Sequence, residues 1–294
     1  VVFKPFKSLV TIGLMFAVFL LGGCQLTVLD PKGPVAEQQK DLINWSIGFM
    51  LFIVVVVFVL FTWIVVKYRD RVGHKGYDPE QEGSKWLEVL WTAIPIVIVI
   101  ALAVPTVKTI HSLDKPPKAT SHKDPLVIHA TSVDWKWVFT YPKQNIETVN
   151  YINIPEDRPI LFKITSADSM SSFWIPQLGG QEYGMAGMET KLYLQADHTG
   201  TYLGRNSNFT GKGMANQTFT VKAQTENDFN NWVKDTQSKA PKLTKDQYDH
   251  LMLPGNVKKM TFSSTHLKWV DHAKDQEYAL KVRKKLGKEE SQSH

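Results

Sequence analysis

The chain has 294 residues, a formal net charge of +6 and a single cysteine. One thiol excludes a disulfide framework, a cysteine-rich metal site and any centre built on two thiolates. The 34 basic and 28 acidic residues are mixed rather than segregated, which gives no support to a nucleic-acid partner.

Lys4 and Lys7 precede an apolar run over residues 9–21, and Leu21-Gly22-Gly23 leads into Cys24. A basic start, a short apolar core and small residues before a cysteine read as an export signal over residues 1–23. The run is too short to cross a bilayer, which takes about 20 apolar residues. Cys24 is then the acceptor of a diacylglycerol on a bacterial lipoprotein, placed on the outer face of the cytoplasmic membrane. The competing reading is a first membrane helix with an incidental cysteine. Asp30, Pro31, Gly33 and Pro34 follow at once and weigh against it. One lipid chain anchors weakly, so a second attachment to the membrane is expected.

After an external segment over residues 24–41, residues 42–66 are almost entirely Ile, Val, Leu, Phe and Trp. Their length suffices for a transmembrane helix, and Trp45 and Trp63 near its ends suit the headgroup layers. A second span is predicted over residues 87–107. It contains Pro95 and Pro105, which membrane helices tolerate. The loop between the spans, residues 67–86, carries Lys67, Arg69, Arg71, Lys75 and Lys85, as expected of a cytoplasmic loop. The chain thus returns outward, and residues 108–124 read as a linker, stiffened by the three prolines from Lys115 to Pro125.

Residues 125–223 form the external β part. Short β-rich runs such as Pro125-Leu126-Val127-Ile128, Trp135-Lys136-Trp137-Val138-Phe139, Pro159-Ile160-Leu161-Phe162, Lys191-Leu192-Tyr193-Leu194 and Gln217-Thr218-Phe219-Thr220-Val221 alternate with Pro, Gly and Asn clusters, the pattern of a sandwich. Residues 224–294 change to helical spacing. Thr225 opens one helix in the manner of a capping box, residues 244–252 read similarly, and residues 269–286 alternate charge and apolar side chains. These tail helices are expected at the periphery. The fold class predicted is a membrane-anchored α+β chain: a two-helix transmembrane hairpin, an external β-sandwich and C-terminal helices.

Four local motifs follow one another in this frame. They are Leu87-Glu88-Val89-Leu90-Trp91-Thr92-Ala93-Ile94-Pro95, Val133-Asp134-Trp135-Lys136-Trp137, Ser171-Ser172-Phe173-Trp174-Ile175-Pro176, and the stretch from Gly200-Thr201-Tyr202 to Met214. Together with the hairpin and sandwich they resemble subunit II of the haem–copper respiratory oxidases, over roughly residues 43–221. The resemblance implies a cupredoxin-like sandwich. In the cytochrome c oxidases that sandwich carries a binuclear copper centre, CuA, on two bridging thiolates, two histidines, a methionine and a backbone carbonyl. Here the histidine positions hold Ser171 and Met214, the thiolate positions Asn206 and Thr210, the methionine position Gln217, and the carbonyl position Asn208. Asn, Thr and Ser do not bridge copper, because soft donors are what the centre requires. The resemblance therefore implies a cupredoxin domain lacking CuA, with no metal.

Loss of that centre is similar to the quinol-oxidising branch, closest to the haem-a-type quinol oxidases of Gram-positive bacteria, with menaquinol as the implied donor. The Phe173-Trp174-Ile175-Pro176-Gln177-Leu178-Gly179 and Tyr183-Gly184-Met185-Ala186-Gly187-Met188 segments fit that branch. The implied role is a non-catalytic subunit of a quinol:oxygen oxidoreductase that moves protons. Haems and a copper ion would sit in subunit I, smaller membrane subunits would complete the complex, and cytochrome c would not be a partner. The mixed surface charge agrees, since a basic cytochrome needs an acidic dock.

Within this frame Glu88 reads either as a proton-path carboxylate at the mouth of a channel into subunit I or as an interfacial carboxylate that snorkels to the headgroups. Trp135 and Trp137 stand where relatives pass electrons to copper. Without copper, packing against subunit I is the expected role, and Asp134 is expected to satisfy a local hydrogen bond. Met185, Met188 and Met214 suit packing better than a thioether copper site. The alternative function is a lipid-anchored external binding or sensor protein with a metal-free sandwich, which would have no use for an intramembrane glutamate.

Overall fold

A computed structural model describes residues 26–69 and 82–292. The signal segment, Cys24 and most of the loop between the two spans lie outside the described residues.

Two long helices come first. Helix α1 runs Pro34–Tyr68 and α2 runs Lys85–Leu113. Both exceed the apolar runs that predict them. α1 begins with Pro at its first position, where the missing N–H costs nothing, and its polar first turns project beyond the apolar stretch. From residue 50 to residue 69 every side chain of α1 is exposed, including a β-branched run at Ile53-Val54-Val55-Val56-Val57. A helix bare of polar cover suits hydrocarbon, where satisfying the backbone outweighs β propensity. The hairpin closes at its outer half: the Trp45 indole donates to the Ala101 carbonyl at 3.3 Å, and the Ser112 hydroxyl donates to Gln38 at 2.7 Å. The predicted linker is helical as far as Leu113. The chain then breaks at Pro116-Pro117 and makes a short 3-10 turn, Lys118–Thr120.

The external part is a two-sheet sandwich. Its strands are β1 Leu126–Val133, β2 Lys136–Tyr141, β3 Ile146–Val149, β4 Tyr151–Pro155, β5 Ile160–Ser166, β6 Ser171–Ile175, β7 Gly179–Gly184, β8 Thr190–Leu194, β9 Gly200–Asn206, β10 Thr218–Gln224 and β11 Met260–Phe262. One sheet has the order β11-β3-β2-β1-β5-β8 and the other β4-β10-β9-β6-β7. The β1–β5 and β4–β10 pairs are parallel, and the other pairs are antiparallel. Between the sheets lies an aromatic cluster of Trp137, Phe139, Phe162, Phe173 and Phe219, with Phe173 and Phe219 stacked at 5.1 Å. Gly204 sits opposite Phe219 in the β9–β10 register because a side chain there would collide with the ring.

The sandwich meets the hairpin through the start of α1. Val35 and Ala36 are buried, and the backbone of Ala36 passes so close to Gly179 (φ +97°) that a Cβ there would stand 2.8 Å from its nitrogen. Hydrogen bonds from Lys32 N to the Gln177 carbonyl at 2.7 Å and from Asp197 N to the Lys32 carbonyl at 2.9 Å fasten the same joint.

The tail differs from its expectation. Helices α3 Glu226–Lys239, α4 Lys245–Leu251 and α5 Tyr278–Gln292 are present, and Thr244 and Gln247 form a reciprocal capping box on α4. Yet the tail is not peripheral. It contributes β11 to the sandwich, and it covers the outer face of β2, so that all six residues of that strand are buried. Tyr248, Leu251, Met252, Phe262, Val270, Ala279 and Val282 make a second apolar core with Val133, Val138 and Val149. The predicted helix over residues 269–286 starts only at Tyr278, because the preceding stretch turns to bury His266 and His272 beneath α4. There the Tyr248 hydroxyl lies 2.7 Å from His272 Nε2, and Glu147 on β3 accepts from both the backbone and Nδ1 of His266.

Burial, and secondarily the neighbouring His266, pushes His272 down to about 3. An unfolded chain binds that proton near pH 6.5, whereas the folded chain excludes it. Tail docking therefore weakens as pH falls through this window, by up to about 1.4 kcal/mol per pH unit. Thermal unfolding of the detergent-solubilised chain should show this slope, and His272→Gln should flatten it.

Candidate functional site

The residues that the resemblance sets at copper-ligand positions converge at one end of the sandwich. Ser171 starts β6, Asn206 ends β9, Asn208 and Thr210 lie in the following loop, and Met214 starts the 3-10 turn Met214–Asn216 before Gln217 and β10. Ser171, Asn206 and Gln217 are each 1% exposed. A buried amide must find partners for its oxygen and its nitrogen. These find each other. Asn206 Nδ2 donates to Gln217 Oε1 at 2.8 Å and to Thr210 Oγ1 at 3.1 Å. Asn206 Oδ1 accepts from the backbone N–H groups of Ser172 and Asn208, both at 2.9 Å. Gln217 Nε2 donates to Ser132 Oγ at 2.9 Å, and Ser132 Oγ donates to Ser171 Oγ at 2.6 Å. Asn208 Nδ2 turns away to the Met170 carbonyl at 2.7 Å.

The copper centre of the cytochrome c oxidases does not fit this donor set. Two bridging sulfurs cannot come from a chain whose single cysteine is Cys24. Ser171, Asn206, Thr210 and Gln217 offer hard oxygen and nitrogen donors already engaged in a closed network, the Met214 thioether is the one soft donor among the six positions, and a metal would have to break several buried hydrogen bonds to enter. Among the described residues, no group of three or more His, Cys, Asp or Glu side chains stands together to hold a metal ion.

The aromatic segment differs from its expectation. Trp137 is fully buried in this chain's own core, edge-on to Phe173 at 5.3 Å and to Phe219 at 5.8 Å. It therefore has no surface to pack against subunit I. Trp135 is half-buried and caps the loop of its own chain: its indole donates to the Thr210 carbonyl at 2.8 Å, and Gly211 and Gly213 lie flat against the ring. A Cβ at Gly213 would stand 2.2 Å from that ring, so the loop needs glycine there. Asp134 accepts from Ser169 Oγ at 2.5 Å.

Two residues of this site were not singled out in the sequence. Ser132 links Ser171 to Gln217, and only its place at the end of an alternating strand marks it. Lys136 is 1% exposed, on the face of β2 opposite Trp137. Its ammonium donates to the carbonyls of Asp134, Leu251 and Leu253 at 3.0, 3.1 and 2.7 Å, tying the aromatic segment to the tail. Arg283 of α5 reaches the same region, donating to Asp168 and to the Met252 carbonyl. Burial lowers Lys136 to about 8 against the opposing pull of Asp168.

Glu88 lies apart from all of this, in the first turn of α2 at the end remote from the sandwich. It is exposed, and no cation pairs with it among the described residues. It shares a shallow groove with Val89, Thr92, Ala93 and Ile96, and the Thr92 hydroxyl donates to its carbonyl at 2.9 Å.

Comparison with known proteins gives the class first. The family model described as cytochrome c oxidase subunit II, transmembrane domain, matches residues 23–109, and the one described as cytochrome c oxidase subunit II, periplasmic domain, matches residues 141–224. The class is thus subunit II of the haem–copper oxidases, a membrane-anchored protein with an external domain. A solved periplasmic domain of subunit II of cytochrome oxidase from Bradyrhizobium japonicum is 24% identical, with a TM-score of 0.39 over 40% of this chain and 96% of that one. Quinol oxidase subunit 2 of Bacillus spizizenii is 67% identical over 97% of this chain and 90% of that protein. Quinol oxidase subunit 2 of Bacillus anthracis is 48% identical over 91% of this chain and 93% of that protein. The chain belongs to the quinol oxidase subunit 2 family.

Gln217→Leu should leave the Asn206 amide and the Ser132 hydroxyl short of partners and cost about 2–3 kcal/mol, read as a lower midpoint in thermal unfolding. Lys136→Met should change the pH dependence of stability. The unfolded chain binds the Lys136 proton up to about pH 10.5, whereas the folded chain releases it near 8. Wild-type stability should therefore gain on the variant as pH rises from about 8 to about 10.5, by roughly 3 kcal/mol at full titration.

Proposed function

We infer that this chain is the non-redox subunit II of a proton-translocating respiratory oxidase that oxidises quinol and reduces oxygen to water. The observation that carries the reading is the closed Ser171–Ser132–Gln217–Asn206–Thr210 network. A domain whose former ligand positions are spent on one another offers no stop for an electron arriving from a soluble carrier. A lipid-soluble quinol needs none, because it delivers electrons within the membrane. Haems and copper then belong to subunit I, and this chain supplies structure: a hairpin that seats the sandwich over subunit I and a sandwich that caps the outer face. Cys24 carries the lipid that adds a further hold on the membrane, with the external domain following the second span.

Glu88 is the residue of this chain assigned to proton uptake. An unpaired carboxylate on an apolar helix is costly in lipid and is expected to face a polar inlet in the assembled complex. Thr92 and Ile96 lie on the same helix face, so the groove around Glu88 would be completed by subunit I rather than by this chain.

A tagged chain purified in mild detergent should bring haem and quinol oxidase activity with it and should not oxidise reduced cytochrome c. A haem-free monomer would count against the assignment. Glu88→Ala should assemble with normal haem content and reduce oxygen about tenfold or more slowly, in the range typical for loss of a proton-transfer group. Unchanged turnover in an assembled variant would return Glu88 to a snorkelling surface carboxylate.

A further inference from the structure

The outer end of the hairpin holds a cleft that neither the copper positions nor Glu88 explains. It has a volume of about 480 Å³ and is walled by Pro34 and Gln38 of α1, by Lys108, Thr109 and Ser112 of α2, and by Lys118 of the linker. We propose that this cleft binds the phosphate of an anionic phospholipid headgroup from the outer leaflet.

Its position follows from helix geometry. At about 1.5 Å per residue, Lys108 stands about 30 Å along α2 from Glu88, which is the thickness of a bilayer's hydrocarbon core. If Glu88 lies at one polar boundary, Lys108 lies at the other, where headgroup phosphates are. Its chemistry also suits a phosphate ester. Lys108 and Lys118 are exposed, and neither is paired with a carboxylate among the described residues. Both lysines belong to the lining of the cleft, and that lining carries no acid. The Thr109 hydroxyl can serve as a further donor, whereas the Ser112 proton is given to Gln38. Lys108 lies near the C-terminal end of α2, so the helix dipole disfavours an anion there. The two lysines supply the compensating charge. The apolar remainder of the lining, Pro34, Pro117 and Ala119, suits the glycerol and the upper acyl carbons.

The cleft is built on fixed elements. Ser112 Oγ joins its two helix walls through Gln38 at 2.7 Å. Thr120, two residues after Lys118, is buried and donates to Gln195 of the sandwich at 2.5 Å, which holds the linker wall in place. The start of α1 is clamped at Gly179, as described above. A volume of this size lies within the range of about 300–1,000 Å³ usual for small-molecule sites.

Native mass spectrometry of the detergent-purified full chain, in its complex, tests the proposal. The probes are dioleoylphosphatidylglycerol, dioleoylphosphatidylcholine and inorganic phosphate. Wild type should retain the phosphatidylglycerol in preference to the phosphatidylcholine. Lys108→Gln with Lys118→Gln should lower that retention roughly tenfold to thirtyfold, as expected for two surface cations. The doubly substituted Lys108→Arg, Lys118→Arg chain should keep it, and Lys115→Gln, outside the cleft, should leave it unchanged. Equal retention of both lipids, or undiminished phosphatidylglycerol in the double glutamine variant, would overturn the proposal. Binding of inorganic phosphate without binding of the lipid would overturn it as well, because the site would then serve the free ion.

Discussion

A polar atom sealed from water is costly unless it is hydrogen-bonded, and this cost shapes the end of the external domain. Asn206 and Gln217 bring four amide heavy atoms into a site that is almost closed to solvent. Every one of those atoms has a partner, and the partners include Thr210, Ser132 and two backbone N–H groups. The site is therefore held by hydrogen bonds that saturate one another. Side-chain amides hold the loop that follows β9. The glycines at 211 and 213, laid against the Trp135 ring, complete the same closure from outside.

The rest of the external part is closed in a comparable way. The sandwich has an aromatic centre, a tail that covers the outer face of β2, and a joint at Gly179 that fixes it to the hairpin. Lys136 links two of these regions, since its backbone lies beside the polar network while its ammonium serves the carbonyls of the tail. The membrane helices follow another logic. Their side chains are bare in this chain over most of their length, and their cover is lipid or another subunit. One part of the protein is thus complete in itself, and the other is made to be completed.

Much of this was legible in the sequence. Long apolar runs leave little choice in a membrane, so the two helices could be read from composition, although their polar outer turns could not. Strands β1, β5 and β10 announce themselves by β-branched and aromatic residues between turn formers. β3 and β4 are short, and β3 carries Glu147, a carboxylate that no strand pattern would place at 0% exposure. Its partner is the backbone and ring of His266, more than a hundred residues away, and such a pair has no local signature. The same distance hid the true place of the tail. Its helices have weak apolar faces, so they look peripheral until β2 is seen to need cover on both sides. At the site, Ser171, Asn206, Thr210 and Gln217 were readable as neighbours through the resemblance. Ser132 was not, and Trp137 was read as facing a partner when strand alternation turns it inward with Phe139 and Tyr141.

A subunit II of this kind holds no electron relay under the function proposed above. Electron paramagnetic resonance of the intact, purified oxidase measures that most directly. The expected result is steady quinol oxidation by a complex that lacks the signal of a mixed-valence, thiolate-bridged copper pair. That signal, arising from the external domain, would contradict it.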